Sequence, residues 1–245
     1  MFLNCKKPED VLKLLKDDEV NFVDLRFTDP RGKWQHLTMT SEFIDDDSFT
    51  DGIMFDGSSI AGWKAINESD MSLIPDPTTA VMDPFAAQPA MILVCDIMEP
   101  TTGQPYGRDP RSLARKGEAY LGSTGTGDTA YFGPEAEFFI FDDVRFEVSM
   151  NSCFYKFESD EGPYVSGKIM EEGNTGHRPP VKGGYFPVPP VDSGNDLRAE
   201  MVTVMKEMGL NMDKHHHEVA PSQAELGLTF APLVRSADNV QIYKY

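Results

Sequence analysis

From Val20 to Thr28 the apolar side chains of Val23, Leu25 and Phe27 alternate with Asp24 and Arg26. That period of two commits the segment to a strand, because successive side chains of a strand point to opposite faces. Asp29-Pro30-Arg31-Gly32 follows with the chemistry of a type I turn, and Lys33 to Met39 can then return alongside, so the segment reads as a β-hairpin. Pro8 before the apolar face of Val11, Leu12, Leu14 and Leu15 places a short helix ahead of it. An apolar strand at Met91 to Cys95 closes a region of roughly a hundred residues, a normal size for a small α+β domain. The Pro- and Gly-rich stretch from Glu99 to Asp109 supplies a boundary, which divides the chain into residues 1–105 and 106–245.

In the second part, Asp109-Pro110 opens a helix running through Tyr120, and a Gly/Thr-rich loop from Gly122 to Asp128 leads into Tyr131 to Phe141, which reads as a buried strand. Residues Asn151 to Gly184 have no clear period and read as loop with short strands. Ser193 and Asp196 resemble a capping box for a helix whose Leu197, Met201, Val204, Met205 and Met208 recur at helical spacing until Gly209. This Met-rich stripe reads as core packing.

The chain has 245 residues, 40% of them hydrophobic, enough for a sizeable core. Its 22 basic and 40 acidic residues give a net charge of −18, which repels phosphate backbones and anionic bilayers and argues against nucleic-acid or membrane partners. Cys5, Cys95 and Cys153 are odd in number and without a CxxC pair, so they read as reduced thiols. The longest apolar run, Ala90 to Cys95, is too short to span a bilayer, and the Lys- and Asp-rich start lacks a signal-peptide core. These features place the protein in the cytoplasm.

Two segments carry candidate chemistry. In Gly133-Pro134-Glu135-Ala136-Glu137-Phe138-Phe139-Ile140-Phe141, Glu135 and Glu137 share one face of a nearly apolar strand. Either a divalent cation offsets their repulsion and poor solvation, or that end of the strand is exposed and both are solvated. In His215-His216-His217-Glu218, followed by Gln223 and Glu225, His216 and Glu218 share one strand face and His215 and His217 the other, where core or hydrogen-bonded histidines are the simpler reading. The spacing lacks the helical HExxH pattern of zinc hydrolases. Glu218 and Glu225 taken with Glu135 and Glu137 make a carboxylate-rich set, and oxygen ligation favours magnesium or manganese over zinc. Met54-Phe55-Asp56-Gly57-Ser58-Ser59-Ile60 alone is a turn, and Lys182-Gly183-Gly184-Tyr185-Phe186 lacks the spacing of a phosphate-binding loop.

Taken in order and spacing, NFVDLRFTDPRG, MFDGSSIAGW, INESDM, FGPEAEFFIFD, GHRPPVKGGYFPVPPVD, HHHEVAPSQAELGL and ADNVQIYKY resemble type I glutamine synthetase from the first helix to the last residue. The resemblance implies an α+β chain with a β-grasp-like N-terminal domain and an incomplete catalytic domain built on an antiparallel sheet. It also implies a dodecamer of two stacked six-membered rings with active sites between neighbouring subunits. The implied activity is ligation of ammonia to glutamate with ATP, through γ-glutamyl phosphate. Residue by residue, Glu137, Glu218 and Glu225 match the ligands of a first Mg2+ or Mn2+ site, and Glu135 matches one ligand of a second, which holds the ATP phosphates. His216 matches the histidine that stabilises the transferring phosphoryl group. Asp56, Ser59 and Tyr185, with Glu218, match ammonium-site positions, Asp56 reaching in from the adjacent subunit, where it can accept ammonium's proton. Asp213 and Phe230 fall near nucleotide-contacting positions, although the family often has Glu at the former, and the interval from Glu218 to Glu225 is one residue shorter than in some relatives.

After QIYKY the family continues with two more ligands of the second metal, substrate-binding arginines and a gating loop. The chain alone is therefore expected to make no glutamine, and its sheet to expose apolar edges that favour aggregation. Two other readings are a non-catalytic relative that assembles or binds a regulator, and a related γ-glutamyl ligase acting on another amine. Glu135, Glu137, Glu218, Glu225 and Asp56 favour the ligase, because a binding-only descendant has no physical need for them.

Overall fold

The computed structural model describes residues 3–17, 20–165, 169 and 178–245. It is a mixed α+β protein whose contacts group it into two compact units. One comprises residues 1–132, 207–210 and 230–245, and the other residues 133–206 and 211–229.

In the first unit, helix α1 (Pro8–Asp17) buries Val11 and Leu15. Strands β1 (Phe22–Thr28) and β2 (Trp34–Thr40) form the expected hairpin, antiparallel in register from Phe22 opposite Thr40 to Thr28 opposite Trp34. The short helix α2 (Asp46–Thr50) is closed by a capping box on Asp45, and β3 (Ile53–Asp56) and β4 (Asp70–Pro75) pair antiparallel. Two-residue β5 (Val81–Met82) and β7 (Gln104–Pro105) pair with β6 (Ala90–Glu99), which is longer than the five apolar residues that signalled it. The sheet order is β2-β1-β6-β4-β3, with β1 and β6 parallel, the pairing that gives a β-grasp its form. Val23, Leu25, Met71, Leu73, Met91, Leu93 and Ile97 are fully buried in its core.

Strand β1 is buried from Val23 through Phe27, including the polar members of its alternation. Asp24 accepts from Arg26 Nε at 2.6 Å, from Thr38 Oγ1 at 2.7 Å and from His36 Nδ1 at 2.6 Å. The Arg26 guanidinium lies 4.8 Å from the Trp34 ring centroid and 4.0 Å from that of Tyr245. Burial of these charges is tolerated because each is paired.

Helix α3 (Pro110–Thr124) starts where expected, with Asp109 accepting from the Arg111 and Ser112 amides, but runs four residues past Tyr120 until Gly125 adopts φ +68°. Strand β8 (Tyr131–Phe132) pairs with β14 (Ala231–Pro232), and the last helix, α5 (Leu233–Lys244), belongs to the same unit. Arg111, on α3, holds the unit's helices to its sheet through Asp76, Asp96 and Asp238.

In the second unit, β9 (Glu137–Phe139), β12 (Met212–His217) and β13 (Gln223–Leu228) form an antiparallel sheet of order β12-β13-β9, and β10 (Asp143–Val148) pairs with β11 (Cys153–Glu158) as a separate hairpin. The single buried strand expected over Tyr131 to Phe141 is instead two short strands, interrupted at Gly133-Pro134, with Glu135, Glu137 and Phe139 exposed. Proline cannot donate to a sheet ladder, which accounts for the break. Helix α4 (Asn195–Glu207) carries the Met stripe, but Leu197 is exposed, Met201, Val204 and Met205 are half-buried, and Arg198 is the residue it buries fully. The helix starts at Asn195, one residue too late for Ser193 to be its N-cap as the capping-box pattern suggested, and the Ser193 hydroxyl donates to Glu161 Oε1 at 2.8 Å. Part of the aperiodic run from Asn151 to Gly184 lies outside the described residues.

Candidate functional site

The antiparallel register of β12, β13 and β9 sets His216 opposite Glu225 and Glu225 opposite Glu137. Residues opposite one another across antiparallel strands share a face, so these three form a row across the sheet. Glu218, two residues beyond His216, completes the group on the same side. One ligand atom from each of His216, Glu218 and Glu225 lies within 4.8 Å of the others. His216 Nδ1 is 3.5 Å from Glu218 Oε1 and its Nε2 is 3.6 Å from Glu225 Oε2.

Burial pushes the Glu225 carboxyl above its ordinary range, and the charges of Glu218, Glu135 and Glu137 push it further, while His216 opposes them. Three carboxylates thus act on Glu225, with the one imidazole opposing them. A hard divalent cation fits this site, since the donors are carboxylate oxygens with one imidazole beside them. Glu137 lies at the exposed margin of the row, and its Oε2 accepts from Gln223 Nε2 at 2.5 Å. Glu135 precedes β9 and is exposed, close enough to act on Glu225 through its charge.

Tyr185 sits by the same row, its ring 5.7 Å from that of His216 and stacked on Phe186, which is itself 4.8 Å from His216. The glycines before it have a packing role that sequence spacing did not reveal. A Cβ on Gly184 would come within 2.9 Å of His217 Cε1, 3.0 Å of the Glu218 carbonyl and 3.1 Å of the Val219 carbonyl. The Gly184 amide donates to Val219 O at 2.8 Å, so this segment lies directly on the turn that carries Glu218.

Asp56 is exposed in the first unit, where Oδ1 accepts from the Ser58 amide at 2.8 Å and hydroxyl at 2.6 Å, and Oδ2 from the Ser59 hydroxyl at 3.1 Å. The Ser58 hydroxyl, foremost, holds its carboxyl below the usual range. Asp213 is exposed on β12, with Lys214 Nζ at 3.8 Å. Phe230 is exposed in the first unit, edge-on to Tyr131 with centroids 5.4 Å apart.

His217, on the opposite face from His216, has both ring nitrogens engaged, Nε2 donating to Glu161 Oε2 at 2.8 Å and Nδ1 to the Glu218 carbonyl at 2.6 Å. Burial alone would lower its pKa, but Glu161 raises it. Conversely, burial would raise Glu161, and the bonds from His217 and Ser193 instead hold it at about 2. Glu161 had no sequence signal, because it lies in the run without period.

Family models match both parts of the chain, the glutamine synthetase beta-Grasp domain over residues 19–100 and the glutamine synthetase catalytic domain over residues 107–245. The chain belongs to the glutamine synthetase family. A glutamine synthetase from Azospirillum brasilense is 65% identical over 235 residues, covering 96% of this chain and 50% of the relative. One from Rhizobium meliloti is 60% identical over 236 residues, again covering 96% of this chain and 50% of the relative. The chain spans about half the length of the curated relatives it matches. A glutamine synthetase structure from Plasmodium falciparum superposes with a TM-score of 0.85 over 97% of this chain and 48% of its own, at 23% identity, a likeness of fold. Among the described residues, no helix is long and apolar enough to cross a membrane.

Proposed function

We propose that the protein to which this sequence belongs ligates ammonia to L-glutamate at the expense of ATP, through γ-glutamyl phosphate, in the cytoplasm and as a homo-oligomer of stacked rings. The observation that carries this reading is the row His216, Glu225 and Glu137 with Glu218 beside it, a carboxylate set on a sheet of this family. In it Glu137, Glu218 and Glu225 would hold one Mg2+ or Mn2+ ion, and Glu135 would contribute to a second. Bound there, such ions neutralise phosphate oxygens and orient the substrates for phosphoryl transfer.

The chain's own groups do the rest. His216, flanked by two carboxylates, presents a donor toward the developing phosphoryl charge. Tyr185, packed on His216, borders the ammonium position, with Glu218 as a counter-charge and Ser59 entering beside Asp56 of a neighbouring subunit. Asp56, reaching in from a neighbouring subunit with its carboxylate fixed by Ser58 and Ser59, accepts a proton from ammonium so that ammonia can attack. Asp213 and Phe230 contact the nucleotide.

The test is to join this chain to the C-terminal half of the Azospirillum brasilense relative and follow ATP- and metal-dependent γ-glutamyl hydroxamate formation. The joined protein should be active and its Glu225→Gln variant at least about a hundredfold slower. An active joined protein indifferent to that substitution would defeat the assignment.

A further inference from the structure

The turn from β12 to β13 carries Glu218 and fixes the pairing of His216 with Glu225, and one side chain grips both of its ends. Glu161 Oε2 accepts from His217 Nε2 at 2.8 Å, on the strand entering the turn, and from the Ser222 amide at 2.7 Å, where the chain leaves it. Its other oxygen accepts from the Ser193 hydroxyl at 2.8 Å, just ahead of α4. The carboxylate is thus fully engaged, and its side chain is 12% exposed.

Each contact bears on the candidate ligands. His217 passes the restraint to the Glu218 carbonyl at 2.6 Å, and the Glu218 amide donates to Gln223 O at 2.8 Å, which closes the turn. Ser222 has φ +66°, a left-handed conformation that a residue with a Cβ adopts at a cost. Its amide is pinned by Glu161 and its hydroxyl bonds that of Ser159, so the backbone is held where it would not otherwise rest. A relaxed Ser222 would let Gln223 and Glu225 shift along β12. Behind the turn lies a cavity of about 170 Å³ whose lining combines Glu161, His217 and Ser222 with Ile140, Leu197 and Ala224.

We infer that Glu161 is a positioning residue for the carboxylate row, fixing Glu218 and Glu225 through His217 and Ser222 without itself facing the row. This rests on the reading of the row as a cation site. Partners that orient metal ligands from behind typically cost about 10- to 100-fold in metal affinity when removed.

The experiment compares the chain with its Glu161→Ala and Glu161→Gln variants in two measurements: Mn2+ affinity by electron paramagnetic resonance, and amide hydrogen exchange over residues 218–223. Glu161→Ala should weaken Mn2+ binding by about tenfold or more and speed exchange at Glu218 and Ser222 by a similar factor. Glu161→Gln should keep both within about threefold, since its amide oxygen can accept from His217 and Ser222 while its NH2 donates to Ser193. Unchanged exchange in Glu161→Ala, or equal loss in both variants, would overturn the inference. So would faster exchange with undiminished Mn2+ affinity, provided that Glu225→Gln does lose the ion. If Glu225→Gln binds Mn2+ as well as the parent chain, the cation reading fails, and the exchange measurement still decides whether Glu161 holds the turn.

Discussion

Replacing Arg111 by Met should remove the central tie of the first unit. Its guanidinium meets three carboxylates: Asp238 through Nε and Nη2 at 3.0 and 2.9 Å, Asp96 through Nη1 at 2.7 Å and Asp76 through Nη2 at 2.7 Å. The side chains of Arg111, Asp76 and Asp238 are 6%, 14% and 7% exposed, so solvent screens them little. Burial opposes ionisation of Asp76, yet the Thr78 hydroxyl and Arg111 hold it at about 2, against an ordinary 3.8. That depression corresponds to about 2 kcal/mol at neutral pH. Removing one partner of a buried pair costs about 3–5 kcal/mol, because the other charges stay buried. Arg115, bonded to Asp76 and Asp96, makes no ion pair with Asp238, which keeps only the unbonded charge of Arg235. Both tryptophans, Trp34 and Trp63, lie in this unit, so urea unfolding followed by Trp fluorescence reports on it directly. With a slope of about 2 kcal/mol per molar, the midpoint at pH 7 should fall by about 1.5–2.5 M. The loss should narrow toward pH 4. In the parent, Asp76 stabilises above pH 3.8, and that contribution is lost as pH falls toward about 2. In Arg111→Met the crowded carboxylates acquire raised pKa values and bind protons on folding, so lower pH favours the folded state. A midpoint change below about 0.5 M, or an equal deficit at pH 7 and pH 4, would refute this reasoning.

Gly184→Ala should disturb the turn of Glu218, since its Cβ meets backbone carbonyls at 3.0 and 3.1 Å that cannot yield as a flexible side chain would. The expected cost is about 1–3 kcal/mol, read as faster hydrogen exchange over residues 217–223, and unchanged exchange would count against the packing role. Asp109→Ala removes the acceptor of the Arg111 and Ser112 amides at the start of α3 and should lower stability by about 1–2 kcal/mol in the same fluorescence assay. No measurable change there would mean that the cap is energetically idle.

The hairpin was legible because its period of two and its turn residues are local properties of the chain, and the start of α3 was legible for the same reason. The burial of Asp24 and Arg26 was not. It depends on Asp83 and Tyr245, which no local pattern ties to β1. In the site, His216 and Glu218 could be placed on one strand face from alternation alone, whereas the row they form with Glu225 and Glu137 depends on register across three strands. Glu161 was invisible because its partners are 56 and 61 residues away and its own surroundings have no period. Residues 131–141 read as continuous because Phe138 to Phe141 are apolar, whereas Gly133-Pro134 interrupts the ladder there.

The central claim is that Glu225, Glu218 and Glu137 hold a divalent cation together, and Mn2+ titration of the chain tests it directly, with Asp213→Asn as a control on the same strand but outside the row. Glu225→Gln and Glu218→Gln should each weaken binding by about tenfold or more, because each removes an anionic oxygen ligand, while Asp213→Asn leaves it unchanged. Equal Mn2+ affinity in the parent chain, Glu225→Gln and Glu218→Gln would contradict the account.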